Sequence, residues 1–152
     1  MGKYFKVPHG KIKYALEHYV PTNNRSQNLE WGPHQVLLDA YNANPSSMEV
    51  TINNFAALPT GKRKVVILGD MLELGEATEQ EHNKIAQLAQ DKEAFDQVIL
   101  VGSLFAPTAK ELNITHFLNV TALKKWWETQ KTPPSYILLK ASRGIQLEQF
   151  IK

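Results

Sequence analysis

The chain has 152 residues, 43% hydrophobic and 21% charged, which is enough for one domain with its own core and the balance of an ordinary globular fold. Seventeen basic residues against fifteen acidic leave a net charge of +2, too little for a nucleic-acid footprint, and the absence of cysteine excludes disulfides, thiolate catalysis and zinc–sulfur sites. No apolar run approaches the ~18 residues of a membrane span and the amino terminus has no signal-peptide pattern, so the expected location is the cytoplasm.

Over residues 11–20, the apolar residues Ile12, Ala15, Leu16, Tyr19 and Val20 share one helical face. Pro21 stops that helix, because the residue before a proline is driven out of the α region. Residues 22–28 are uniformly polar and read as a linker. A short amphipathic helix within 1–22 therefore precedes a main body at 23–152. The first strand is Val36-Leu37-Leu38, ending at Asp39. Met48, Ile52 and Phe55, at i, i+4 and i+7, mark the helix that follows. Lys62-Arg63-Lys64 is the densest basic cluster and reads as a turn entering a strand. That strand is Val65-Val66-Ile67-Leu68, ending at Gly69 and Asp70.

Ile85, Leu88 and Ala89 mark the next helix, opened by Thr78-x-x-Glu81, which has the form of a capping box. Val98-Ile99-Leu100-Val101 follows, ending at Gly102 and Ser103, and a weaker strand is expected at 116–118. Val120, Leu123 and Trp127 mark a third helix, whose adjacent Trp126 and Trp127 suit core and partner-facing packing. The last strand is Tyr136-Ile137-Leu138-Leu139, ending at Lys140. Continuous β-branched and leucine runs indicate strands covered on both faces. Strands alternating with helices predict a three-layer α/β fold with a mostly parallel sheet and right-handed crossovers.

In such sheets ligands bind beyond the carboxyl ends of the strands, which selects 39–45, 69–75, 102–103 and 140–144. The first loop holds a carboxylate, a phenol and two amides, with Asn44 placed to cap a helix and Pro45 in its first turn. It suits a polyol or purine ligand, and equally an Asx-rich turn with a helix cap. The second pairs two carboxylates with Gly69 and Gly75, glycines that allow close backbone approach or positive φ. Arg25 in the linker could grip a phosphate or simply be solvated. No phosphate loop is present: Gly61-Lys62 is followed by Arg63, with Ala56 where the first glycine would stand. A dinucleotide fingerprint and a nucleophile elbow are also absent. His9, His18, His34, His82 and His116 have no metal-ligand spacing, and His82, one turn before Ile85, reads as structural.

The strings 39–48 and 69–75, together with Asn24-Arg25-Ser26 and the run 140–144, resemble the carboxy-terminal, Rossmann-like domain of the Mur ligases, in the branch that adds D-alanyl-D-alanine. The departures are Ala40, where a small hydroxyl residue is frequent, and Ala141, often glycine. The resemblance implies a three-domain, ATP- and Mg2+-dependent ligase. It would join D-alanyl-D-alanine (D-Ala-D-Ala) to UDP-MurNAc-tripeptide through an acyl phosphate. Residues 1–22 would be the tail of the central ATPase domain and 23–152 the carboxy-terminal domain. The resemblance further implies that Arg25, Asp39, Tyr41, Asn42 and Asn44 face ATP, and that Asp70, Ser142 and Arg143 lie near the incoming dipeptide. The Mg2+ ligands would lie in the other domains, so this stretch would not catalyse alone. Two other classes stay open. Asp39, Asp70 and Lys140 also resemble the acids and lysine of a signalling receiver, although Ala40 stands where a second acid belongs. The stripe Ile12, Leu16 and Tyr19 could serve a stand-alone interaction module.

Overall fold

The computed structural model describes residues 27–152. The helix expected at 11–20, most of the linker and Arg25 lie outside them. Six strands form one sheet: β1 (Gln27–Trp31), β2 (His34–Asp39), β3 (Arg63–Gly69), β4 (Gln97–Val101), β5 (Thr115–Phe117) and β6 (Ser135–Lys140). Their spatial order is β1-β2-β6-β3-β4-β5. Only the β1–β2 pair is antiparallel. Helices α1 (Pro45–Ala57), α2 (Thr78–Gln90), α3 (Ala106–Leu112) and α4 (Val120–Glu128) connect them. Short 3-10 turns at Gly75–Ala77, Arg143–Ile145 and Leu147–Ile151 complete the elements. No described helix is long and apolar enough to cross a membrane.

The period of two along β3 divides the interior into two cores. Val66 and Leu68 face Met48, Ile52 and Phe55 of α1, Ile85 and Ala89 of α2 and Ala109 of α3. Val65 and Ile67 face Val120, Leu123 and Trp127 of α4 and Phe150 of the last turn. The layering has a topological cause. From β2 to β3, β4 and β5 the chain moves one way across the sheet, then returns to insert β6 between β2 and β3. Crossovers that keep one hand must change face when they reverse direction, which puts α4 opposite α1, α2 and α3.

Three local expectations need correction. The linker reading fails at Gln27 and Asn28, which belong to β1. This edge strand has one solvated face, so Leu29 and Trp31 alternate with exposed Asn28 and Glu30, and its polar residues hide the pattern. Gly32, at φ +57°, opens the turn into β2. The capping box expected at Thr78 is not formed. Thr78 is already helical, fed by the 3-10 turn, and its hydroxyl donates to the Gly75 carbonyl at 2.6 Å. The reciprocal box is at α1 instead: the Asn44 side chain accepts from Ser47 N (2.9 Å) and Ser47 Oγ accepts from Asn44 N (3.1 Å). Helix α3 was not anticipated, because only Thr108 and Ala109 of its seven residues are buried and so few apolar positions show no period.

The basic cluster does structural work. Lys64 Nζ donates to the Ala56 and Leu58 carbonyls (2.9 and 2.6 Å), closing the carboxyl end of α1. Arg63 bonds Gln97 across the sheet. Trp127 packs among Trp31, His34 and Phe150, and Trp126 against Phe117.

His34 ties β2 to β6: its Nδ1 accepts from the Ser135 amide at 3.1 Å, between the rings of Trp31 and Trp127. Burial, then the charge of Lys62, holds its pKa below the ordinary value. The unfolded chain therefore takes up the proton first as pH falls through about 6.5, and stability is lost below that point. His34→Asn keeps an acceptor for Ser135 but cannot titrate there. Urea unfolding between pH 7.5 and pH 5 should show a shallower loss of stability for this variant than for the parent chain.

Candidate functional site

Because β6 stands between β2 and β3 while its own chain leaves toward the opposite face, a crevice opens at its carboxyl end. Such switch points are where open α/β sheets hold ligands. Asp39 and Lys140 are register partners there, at the ends of β2 and β6. Lys140 Nζ lies 2.9 Å from Asp39 Oδ2 and 3.2 Å from the Asn42 carbonyl oxygen. The Thr51 hydroxyl, on α1, is 3.5 Å from the same carboxylate oxygen. The ammonium side chain is 3% exposed and the carboxylate 15%, so the pair forms a floor with its acid partly open.

That floor closes a cleft of about 650 Å³, also lined by Asn42, Asn44, Ser46, Ser47, Val50 and Thr51. Among the expected nucleotide-facing residues, Asp39, Asn42 and Asn44 thus share one cavity. Tyr41 does not line it; its ring lies under the Arg143 guanidinium, 5.5 Å from centroid to Cζ. Val50, Thr51 and Lys140 were not assigned to this site from the sequence. Their signal was available: Val50 and Thr51 stand three and four residues beyond Ser47, one turn above the loop.

The charges of Asp39 and Lys140 cancel locally. The amides of Asn44 and Ser47 are already taken by the capping box, so the helix end is not an open anion seat. A neutral, hydroxyl- or amide-bearing group fits this cleft better than a phosphate.

Ser142 links three strand ends. Its Oγ accepts from the Leu72 amide (2.9 Å) and donates to the Ala43 carbonyl (3.4 Å), while its own amide donates to the Asp70 carbonyl (3.2 Å). Gly69 allows the close approach foreseen for it: a Cβ there would lie 2.5 Å from that of Ala141. Gly75 takes the positive φ, +58°.

Asp70 is 2% exposed. Its two oxygens accept from the Leu104 and Phe105 amides, each at 3.0 Å. The carboxylate occupies the space a side chain on Gly102 would need, 2.3 Å from an ideal Cβ. Burial raises its pKa, with the two amide bonds opposing. Asp70 therefore organises the Gly102–Phe105 loop; among the described residues Lys140 pairs with Asp39 alone, and both Asp70 oxygens are taken by backbone amides, unlike the open acid cluster of a receiver. Among the described residues no group of three His, Cys, Asp or Glu could hold a metal ion.

His82 is structural, as expected. Nε2 accepts from the Met71 amide (3.0 Å), Nδ1–H donates to the Thr78 carbonyl (2.6 Å), and the ring packs edge-on against Phe105.

The family model described as "Mur ligase, glutamate ligase domain" matches residues 24–143. The UDP-N-acetylmuramoyl-tripeptide–D-alanyl-D-alanine ligase of Bacillus subtilis is 34% identical over 77% of this chain and 27% of its own length. The Buchnera aphidicola enzyme of the same name is 30% identical over 97% of this chain and 32% of its own. A crystal structure of MurF from Acinetobacter baumannii superposes with a TM-score of 0.76 at 27% identity, over 96% of this chain and 33% of that one. The chain thus spans about a third, or less, of the length of these relatives.

If Ser142 is the junction of these loops, Ser142→Ala should leave the Leu72 amide without its acceptor. A loss of about 1–2 kcal/mol is expected in urea unfolding, with hydrogen exchange faster at Leu72 than at core amides of β3. An unchanged Leu72 exchange rate would count against the junction.

Proposed function

Because the chain belongs to the Mur ligase family, through its glutamate ligase domain, we propose that it is the carboxy-terminal part of the ATP-dependent ligase that joins D-alanyl-D-alanine to UDP-MurNAc-tripeptide in peptidoglycan precursor synthesis. The names of the relatives carry the substrate assignment, and the switch-point cleft supports it. Residues 1–22 belong in this reading to the central ATPase domain and 23–152 to the domain that closes upon it. ATP phosphorylates the carboxylate at the end of the tripeptide. The dipeptide amine attacks that acyl phosphate, the new amide forms and inorganic phosphate leaves. Mg2+ supplies charge neutralisation for the phosphoryl group when bound, and its ligands are assigned to the other domains.

The observation that carries the role of this domain is the half-open Asp39 carboxylate. Oδ2 is held by Lys140, and no donor among the described residues reaches Oδ1. An ionised oxygen with a free lone pair at the mouth of a neutral cleft accepts hydroxyl hydrogens, and the ribose of ATP offers two. Asn42 and Asn44 supply the surrounding polar wall. Arg25, ahead of β1, is assigned to the ATP phosphates, where a guanidinium makes strong charge-assisted bonds. Arg143, exposed above Tyr41, is suited to the dipeptide's carboxylate by the same chemistry. Asp70 and Ser142 would serve the dipeptide through the loops they hold. Domain closure would then bring together a nucleotide pocket of which this domain contributes one wall.

Two measurements test this. The isolated 152-residue chain should show no tripeptide-dependent ATP hydrolysis, and any clear turnover would refute the division of labour. With the other domains present, Arg25→Ala should reduce turnover about 10–100-fold, the loss of one or two charge-assisted bonds. An unchanged rate removes Arg25 from the mechanism.

A further inference from the structure

We infer that Lys140 is a positioning residue of the nucleotide site, holding Asp39 in the one rotamer that leaves an oxygen facing the cleft; the inference rests on the nucleotide reading given above. The argument starts from burial. An ammonium with 3% of its side chain exposed cannot be left without a counter-charge, and Asp39 is its only carboxylate partner among the described residues. If Asp39 turned out toward water, the lysine would stay behind unpaired in the interior. The cost of that state fixes the acid.

The geometry makes the constraint specific. Asp39 and Lys140 are register partners on adjacent parallel strands, so their Cβ atoms point to the same face, beneath the first turns of α1. Lys140 takes Oδ2, and the Thr51 hydroxyl lies near the same oxygen. The carboxylate is therefore gripped on one side only. The second Lys140 bond, to the Asn42 carbonyl, anchors the loop that carries Tyr41, Asn42 and Asn44. One buried charge thus sets both the acid and the backbone beside it. Any ligand that takes hydrogen bonds from Oδ1 meets a preformed acceptor and does not have to order one.

Lysine has three N–H donors and two are accounted for. The competing possibility is that the third touches the nucleotide directly, making Lys140 a binding group in its own right. A double-mutant cycle separates the two. It is measured on the ligase with all its domains present. Lys140→Met should raise the KM for ATP about tenfold, the worth of one charge-assisted bond, while kcat changes less than about threefold because the phosphoryl chemistry is elsewhere.

Asp39→Asn should raise the KM for ATP similarly. The double variant Asp39→Asn/Lys140→Met should be no worse than Asp39→Asn, since the lysine acts through the acid. Additive losses in the double variant, or a wild-type KM in Lys140→Met, would overturn the proposal and leave the nucleotide reading standing. A wild-type KM in Asp39→Asn would remove both. Should either single variant fail to fold, the double variant, in which no charge is left unpaired, is compared with the parent ligase: a KM raised about tenfold is expected, and one raised about a hundredfold, the product of two independent losses, would overturn the proposal.

Discussion

The insertion of β6 between β2 and β3 is the constraint on which the rest of the structure depends. All six of its residues are buried, so it must be flanked by strands on both edges and covered on both faces. Placing it there requires the chain to reverse direction after β5, and the reversal sends α4 to the far side of the sheet. The same reversal makes the loops around β6 diverge, which opens the cleft. The interior and the site therefore have one topological origin. A strand that ended in an apolar residue would have completed the core equally well. This one ends in lysine, and the ammonium at the floor of the cleft is the point where the demands of the core give way to those of the site.

Much of this was legible in the residues and some was not, for physical reasons. Continuous runs such as Val65-Val66-Ile67-Leu68 announce a strand covered on both faces, and the four strands read that way are present. The Met48, Ile52 and Phe55 spacing fixes α1 because one face of that helix is fully buried. Strand β1 escaped notice because a half-solvated edge strand needs only two apolar residues, Leu29 and Trp31. Helix α3 escaped because its position is set from outside, by the Asp70 carboxylate reaching the amides that precede it. The capping box was misplaced because the pattern Thr-x-x-Glu reports a possible bond and the backbone entering the helix decides whether it can form. At the site, the acid and amides of 39–44 were recognisable from their place after a strand. The pairing with Lys140 was not, since it joins residues 101 apart in sequence and requires the register of β2 on β6.

Asp39 and Asp70 show how neighbouring strand ends can turn the same side chain to opposite uses. Both close a buried strand, and both carboxylates are held by two or fewer protein groups within hydrogen-bonding range. Asp70 faces Gly102, whose missing side chain leaves a hole that the carboxylate fills. Both its oxygens are consumed, and with about 1.5–3 kcal/mol available from each charge-assisted bond against several for desolvating a carboxylate, the balance is close. The raised pKa indicates that desolvation still outweighs the amides. Asp70 is thus retained for geometry: it fixes a loop that no apolar residue could hold by its amides.

Asp39 differs because its neighbour is a cation. An ion pair needs only one carboxylate oxygen, and that single-sided grip is what leaves the other free. Had both oxygens been bound to backbone amides, as at Asp70, the cleft would have a floor with nothing to offer a ligand. Had neither been bound, the acid would sample several rotamers and part of the binding free energy would go into ordering it. A buried lysine on the adjacent strand satisfies both conditions at once, and does so without adding net charge to a cleft that would otherwise draw in cations. The functional character of the site follows from the count of donors around each carboxylate more than from the carboxylates themselves.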